Sequence, residues 1–163
     1  MKIHKLAPFL SVLWLAFCLL FQTTVHGALG PLEKPEDVEL IRYAQAELKN
    51  IFQPDKHFVL AAMRTKSGKI YTAFNLKTTT TRASVCAESI ALAKTIENGE
   101  LDIDTLVVVA YLNGSLEPLI VSPCGICREL LYDYSPQLKI ILSHNGTTFV
   151  TSVQDLLLFP YKR

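Results

Sequence analysis

Three cysteines and one glutamate carry the clearest chemical potential in the chain. Cys124 and Cys127 form a C-x-x-C pair, and Cys86 lies 38 residues before that pair. Glu88 follows two residues after Cys86. Both groups open segments with helical patterns, and helix N-termini favour anions such as thiolates. Three thiolates on Zn²⁺ leave one tetrahedral position open for water, which is the layout of a catalytic site, and Glu88 could move a proton there.

The C-x-x-C pair also supports two other interpretations. Cys124-Gly125-Ile126-Cys127 at a helix start is typical of a thiol–disulfide oxidoreductase, particularly in a secreted protein. That interpretation gives no role to Cys86 or Glu88, and no Trp directly precedes the pair. The other is a catalytically inactive binding protein that keeps zinc for structure. A structural zinc site has no need of a carboxylate at Glu88.

The elements that must position these residues alternate between helices and strands. Apolar spacing predicts helices that begin near Pro35, Cys86 and Cys124. Helices placed between strands predict one mixed five-stranded sheet inside a three-layer α/β/α sandwich, an α/β fold. Strand patterns cover residues 57–64, 69–75, 105–112, 138–143 and 147–151, with a further short one at 119–121.

Two motifs together resemble a known family. Cys86-Ala87-Glu88 and Pro123-Cys124-Gly125-Ile126-Cys127-Arg128 are similar to the zinc motifs of the cytidine deaminase family in its three-cysteine form. The likeness extends over roughly residues 36–160. Within residues 122–141 the chain most resembles the blasticidin-S deaminase-type branch.

The resemblance implies a zinc-dependent hydrolytic deaminase with a cytidine deaminase-like fold. Such an enzyme converts the exocyclic amine of a cytosine-type nucleoside (cytidine, deoxycytidine or an analogue) to a carbonyl and releases ammonia. The Zn²⁺ cofactor would be bound by Cys86, Cys124 and Cys127, and Glu88 would be the catalytic proton carrier. The family also implies a homo-oligomer, specifically a homotetramer.

Four further residues match substrate contacts of the family. Asn75 falls where the family has its ribose-contacting Asn, and Phe58 would be a stacking platform. Ala87 is assigned to the same site, and the Ser122 carbonyl would accept a hydrogen bond from the amine.

The chain departs from the family pattern at three positions. Lys77 replaces the Glu of the family's Asn-x-Glu, Ser89 replaces an Arg, and Leu60 replaces a Gly. With Lys77 at this position, the chain lacks a carboxylate that could bind the sugar. A lysine would instead bind an anionic or carbonyl group. These differences make ordinary cytidine a less obvious substrate.

The first 27 residues differ in kind from the rest. Lys2 and Lys5 precede an uncharged apolar run, and a polar stretch then ends at the small residue Gly27. This three-part pattern predicts a secretory signal peptide over residues 1–27 and a secreted, single deaminase domain over residues 28–163. The alternative is an uncleaved N-terminal membrane anchor.

Charge and composition limit the partners of the predicted domain. The full chain has a formal charge of +1, and loss of two lysines with the signal changes this to −1. A nucleic-acid polymer is therefore not expected as a partner. After signal removal, no remaining segment reaches the roughly 18 apolar residues of a membrane span. The expected partner is a small, nucleoside-like substrate.

Overall fold

The computed structural model describes residues 30–32, 34–112 and 114–161. The predicted signal segment, residues 1–27, lies outside the described residues. None of the helices in the described part is long and apolar enough to cross a membrane. The elements in chain order are β1 (Gly30–Pro31), α1 (Pro35–Ile51), β2 (Val59–Thr65), β3 (Ile70–Phe74), α2 (Ala87–Glu97), β4 (Ile103–Ala110), β5 (Leu119–Ile120), α3 (Gly125–Tyr134), β6 (Lys139–His144) and β7 (Thr147–Ser152).

One mixed sheet holds all of these strands. Its order is β1-β7-β6-β4-β2-β3, and β4 and β6 are parallel whereas the other pairs are antiparallel. The five longer strands are the five that the sequence predicts. The two-residue strand β5 pairs antiparallel with the end of β4, at Val109 and Ala110. The short strand β1 was not predicted, because a Gly-Pro pair carries no strand pattern.

Helices cover both faces of the sheet and confirm the three-layer α/β/α sandwich. Helix α1 buries Leu40, Ala44 and Leu48 on one face, against Val107 and Val109 of β4. Helices α2 and α3 cover the other face, where Leu106 and Val108 of the same strand point. Because β4 alternates between two apolar layers, its sequence is almost continuously hydrophobic.

A partly buried ion-pair network joins α1 to the sheet. The Arg64 guanidinium donates to Asp37 at 2.6 Å and to Asp104 at 2.8 Å, and Lys139 Nζ donates to Asp104 at 2.9 Å. Burial alone would raise the pKa of Asp104, but the hydrogen bonds from Lys139 and Arg64 outweigh it and hold that pKa well below its usual range. The network therefore stabilises the ionised carboxylate in the folded state.

We expect Asp104→Asn to lower the free energy of unfolding by about 1–3 kcal/mol at pH 7, because it removes a charged acceptor from two cations. A carboxyl with a lowered folded-state pKa contributes stability above its unfolded pKa, about 3.9, and loses it as the pH falls further. The difference between wild type and variant should therefore shrink progressively below about pH 4. Denaturant unfolding from pH 3 to pH 7 measures it.

Asp102→Asn is the matched control, because Asp102 is exposed and lies 3.6 Å from the exposed Lys66. Its effect should stay within about 0.5 kcal/mol. Equal effects of the two substitutions at pH 7 would show that the network around Asp104 contributes no more stability than an exposed ion pair.

Candidate active site

Two helix N-termini bring the three cysteines together. Cys86 is the N-cap residue of α2, and Cys124 is the N-cap residue of α3. Cys127 lies in the first turn of α3 and is fully buried. The Sγ atoms of the three residues all lie within 4.8 Å of one another, and those of Cys86 and Cys124 are 3.9 Å apart.

The local backbone explains why these sulfurs are available. Neither Cys86 nor Cys124 caps its helix through the side chain, and both have extended backbone conformations. Each sulfur is thus free of helix hydrogen bonds while it lies beside unpaired N–H groups and the positive end of a helix dipole. A negative charge on the sulfurs is favoured at this position.

The sulfur cluster fits zinc by both distance and chemistry. A tetrahedral zinc with Zn–S bonds of about 2.3 Å sets its sulfurs roughly 3.8 Å apart, close to the separation of Cys86 and Cys124. Burial raises the pKa of the Cys86 and Cys127 thiols. Three thiolates therefore need a cation among them, and three ligands leave one position of a zinc ion open.

Glu88 lies beside this cluster in the first turn of α2, with only 4% of its surface exposed. Desolvation by burial raises the pKa of the Glu88 carboxyl, and hydrogen bonds from its own backbone N–H and from the Cys127 thiol oppose the rise. A raised carboxyl pKa brings proton uptake and release closer to neutral pH, as general acid–base chemistry requires.

Arg128 is hydrogen-bonded to the turn that precedes Cys124. Its guanidinium donates to the Pro123 carbonyl at 2.9 Å, to the Ser122 hydroxyl at 2.8 Å and to the Leu156 carbonyl at 3.3 Å. In the sequence, Arg128 is only the last residue of the second motif, with no role assigned to it. The signal for its role in the sequence is its position directly after the C-x-x-C pair. The groups that accept its hydrogen bonds come together only when the turn has folded.

The Ser122 carbonyl remains available for a ligand, because no donor in the described part of the chain is bonded to it. The Ala87 side chain is fully buried in the core. The backbone N–H of Ala87 belongs to the first turn of α2, where N–H groups have no acceptor within the helix. Ala87 directly follows Cys86, and Ser122 lies two residues before Cys124.

Asn75 is hydrogen-bonded to the backbone of Phe58 at the open end of the β2–β3 hairpin. The Asn75 Oδ1 atom accepts hydrogen bonds of 2.9 Å from the backbone N–H groups of Phe58 and Val59. The amide oxygen is thus occupied, and the amide NH₂ group is the part of Asn75 left for a ligand. Leu76 pairs with Val85 through two backbone hydrogen bonds, which places Asn75 next to the segment that carries Cys86.

Comparisons with known proteins agree with this geometry. Residues 34–143 match the family model described as "Cytidine and deoxycytidylate deaminase zinc-binding region". The chain is 36% identical to blasticidin-S deaminase of Bacillus cereus over 133 residues, which cover 78% of this chain and 94% of that protein. It is 27% identical to cytidine deaminase of Mycoplasma genitalium over 126 residues, which cover 76% and 94%. The crystal structure of cytidine deaminase from Burkholderia pseudomallei superimposes with a TM-score of 0.63 at 28% identity, over 76% of this chain and 98% of that one.

Proposed function

The chain belongs to the cytidine deaminase family, and from that premise we propose that it is a zinc-dependent hydrolase acting on a cytosine-type nucleoside. The reaction replaces the exocyclic amine of the base with a carbonyl and releases ammonia. Cytidine, deoxycytidine and cytosine nucleoside analogues form the substrate class. The observation that carries this proposal is the convergence of three cysteine sulfurs beside a buried glutamate.

Cys86, Cys124 and Cys127 are the proposed zinc ligands. A zinc ion held by these sulfurs supplies Lewis-acid activation of water at neutral pH. The two helix N-termini offset part of the negative charge of three thiolates, and Arg128 holds the turn before Cys124 in place.

Glu88 is the proposed proton carrier. Its carboxylate accepts a proton from the attacking water and delivers it to the ring nitrogen of the base. It then transfers the second proton of that water to the departing amine, so the water oxygen becomes the new carbonyl oxygen. The burial that raises the pKa of Glu88 suits a group that must both accept and release protons.

Four groups are proposed to hold the substrate. The Ser122 carbonyl accepts from the exocyclic amine, and the backbone N–H of Ala87 donates to the base. The amide NH₂ of Asn75 donates to the sugar, and the ring of Phe58 supplies an apolar wall. The free Ser122 carbonyl and the preorganised Asn75 side chain support this arrangement.

Secretion and assembly complete the proposal. Residues 1–27 are proposed to be a secretory signal removed after Gly27, with an uncleaved membrane anchor as the alternative. We propose a homotetramer, as the family resemblance implies, and large apolar side chains that are exposed in the single chain support self-association. Three of them are Ile126, Tyr134 and Phe159.

The test is a deamination screen with parallel metal analysis. Purified protein is incubated with cytidine, deoxycytidine, cytosine and aminoacyl cytosine nucleosides, and released ammonia and bound zinc are measured. We expect deamination of at least one nucleoside and about one zinc per chain. Full activity in protein without metal would contradict the proposed mechanism.

Thiol titration separates the deaminase from an oxidoreductase that uses Cys124 and Cys127. A zinc site shields its three thiols until a chelator is added, whereas a redox pair responds to a reductant and not to the chelator. Shielding of all three thiols supports a zinc site over a redox pair, and the deamination screen then separates an enzyme from an inactive zinc-containing protein.

A further inference from the structure

Asn75 lies where strand β3 ends, and its hydrogen bonds depart from the regular ladder with β2. Leu60 pairs with Phe74 in the antiparallel register, so the next pair along the two strands is Val59 with Asn75. One bond of that pair is regular, because the Asn75 N–H donates to the Val59 carbonyl at 2.9 Å. The return bond is not, because the Val59 N–H donates at 2.9 Å to the side-chain Oδ1 of Asn75. The Asn75 side chain therefore replaces its own backbone carbonyl in the ladder.

The displaced carbonyl of Asn75 is bound by the side chain of His57. The Nδ1 atom of His57 lies 3.0 Å from that carbonyl oxygen. A carbonyl only accepts hydrogen bonds, so Nδ1 carries the hydrogen and donates it. Asn75 is only 8% exposed, and a buried carbonyl without a donor costs free energy. The bond from His57 thus compensates the carbonyl for the donor that it lost at Val59.

His57 is itself held in place by its backbone and by its ring. Its N–H donates to the Gln53 carbonyl at 2.9 Å, and its carbonyl accepts from the Gln53 N–H at 2.9 Å. Its ring contacts the ring of Phe74 with the centroids 4.5 Å apart and the planes tilted by 60°. Because the backbone N–H of His57 is already bonded to Gln53, only the imidazole of this residue can donate to Asn75.

Loss of the His57 donor would favour the regular ladder. The Asn75 carbonyl would then accept from the Val59 N–H, which is the ordinary donor at this position of an antiparallel pair. The Asn75 Oδ1 would keep one donor, the Phe58 N–H, in place of two. With a single bond left, the Asn75 side chain could turn, and its NH₂ group would lose its fixed direction.

We propose that His57 is the positioning residue for Asn75 in substrate binding. By donating to the Asn75 carbonyl, it leaves the Val59 N–H to the Asn75 Oδ1 and so directs the amide NH₂ group to a sugar hydroxyl of the substrate. The inference rests on the proposed deaminase function and on the proposed contact of Asn75 with the sugar. His57 acts through Asn75, and small errors in the placement of such a group lower the rate of a reaction.

The test measures kcat/KM for cytidine and for its 2′-, 3′- and 5′-deoxy derivatives. In the wild type, the derivative that lacks the hydroxyl bound by Asn75 should fall about tenfold or more below cytidine, because it leaves the amide without a partner. His57→Phe keeps a ring beside Phe74 but has no donor, and it should shrink this cytidine-to-deoxy ratio about fivefold. His57→Asn should restore most of the ratio, because its amide nitrogen can occupy the place of Nδ1.

The side-chain amide signal of Asn75, measured by NMR in ¹⁵N-labelled protein without substrate, gives a readout that does not depend on activity. His57→Phe should shift this signal, and His57→Asn should return it toward its wild-type position. His144→Phe is the matched control, because His144 is exposed at the end of β6. It should change neither the signal nor the ratio. If His57→Phe does not fold, His57→Gln replaces it, because its amide reaches the place of Nε2 and not that of Nδ1.

Three results would overturn this inference alone. They are equal ratios in the wild type and in the variant that lacks the donor, an Asn75 signal that the variant does not move, and an equal loss on cytidine and on every deoxy derivative. The last of these would give His57 a purely structural role. Failure of the wild type to deaminate any cytosine nucleoside would overturn the proposed function, and this inference with it.

Discussion

Glu88→Gln should lower the turnover number at least about a hundredfold while the protein keeps its fold and its zinc. General acid–base catalysis contributes about 10²–10⁴ in rate, and here one carboxylate serves successive proton transfers. Gln has nearly the same shape but cannot accept the proton of the attacking water. Steady-state kinetics on an accepted substrate, with zinc analysis of the same sample, measures both outcomes.

The stability of this variant gives a second readout. Burial disfavours the ionised form of Glu88, as its raised pKa shows. A neutral amide avoids that cost, so the free energy of unfolding should stay equal to that of the wild type or rise slightly. Replacing a catalytic group that lowers the stability of the fold is expected to abolish activity while stability is retained.

Glu97→Gln is the control on the same helix, because Glu97 is exposed in the last turn of α2. It should change neither turnover nor zinc content. Near-normal deamination by Glu88→Gln would show that the proton is carried by another group, even with zinc present. A loss of zinc in Glu88→Gln would instead give this residue a part in metal binding.

Much of the candidate site was predictable because its main signals are local. An N-cap position is encoded by a few neighbouring residues, so the sequence around Cys86 and around Cys124 already indicates two helix starts. The apolar strand at 105–112 further indicates a central strand with layers on both faces. Because two helices on one sheet can direct their first residues to a common point, the sulfur cluster follows from these local patterns.

The parts that could not be predicted depend on contacts between distant residues. Arg64 ends an apolar strand pattern, and nothing near it indicates that its partners are Asp37 and Asp104, 27 and 40 residues away. Similarly, Asn at a strand end most often makes a local turn. In the structure the Asn75 oxygen instead holds the backbone at Phe58, a contact that exists only after the hairpin forms.

A groove lies beside Lys77, and it also had no signal in the sequence. Its lining comes from the segment after α1, from Phe58 before β2, from Lys77 after β3 and from the loop after β4, and the pairing of β2 with β3 and β4 brings these segments together. The sequence shows Lys77 as a departure from the family pattern. The structure adds that the ammonium group of Lys77 lies over the ring of Phe58. The role of a residue that departs from a family motif can be interpreted only when the residues around it are known.

Cys124→Ala should lose zinc and stability together. Cys124 is exposed, whereas Cys127 is fully buried, so replacing Cys124 removes a ligand with little loss of core packing. Zinc that binds only the folded state at a free concentration 100 times its Kd stabilises that state by about 2.7 kcal/mol. We therefore expect this variant to unfold with a free energy lower by about 3 kcal/mol or more, and to contain far less than one zinc per chain.

Chelator treatment shows whether this loss comes from the metal. Chelator should destabilise the wild type to the level of Cys124→Ala and should not destabilise the variant further, because a site with two sulfurs retains little zinc. Asp133→Asn, at an exposed position on the same helix α3, should keep its zinc and its response to chelator. If the wild type unfolds identically with and without chelator while Cys124→Ala is destabilised, the stabilising role of Cys124 lies in packing and not in zinc binding.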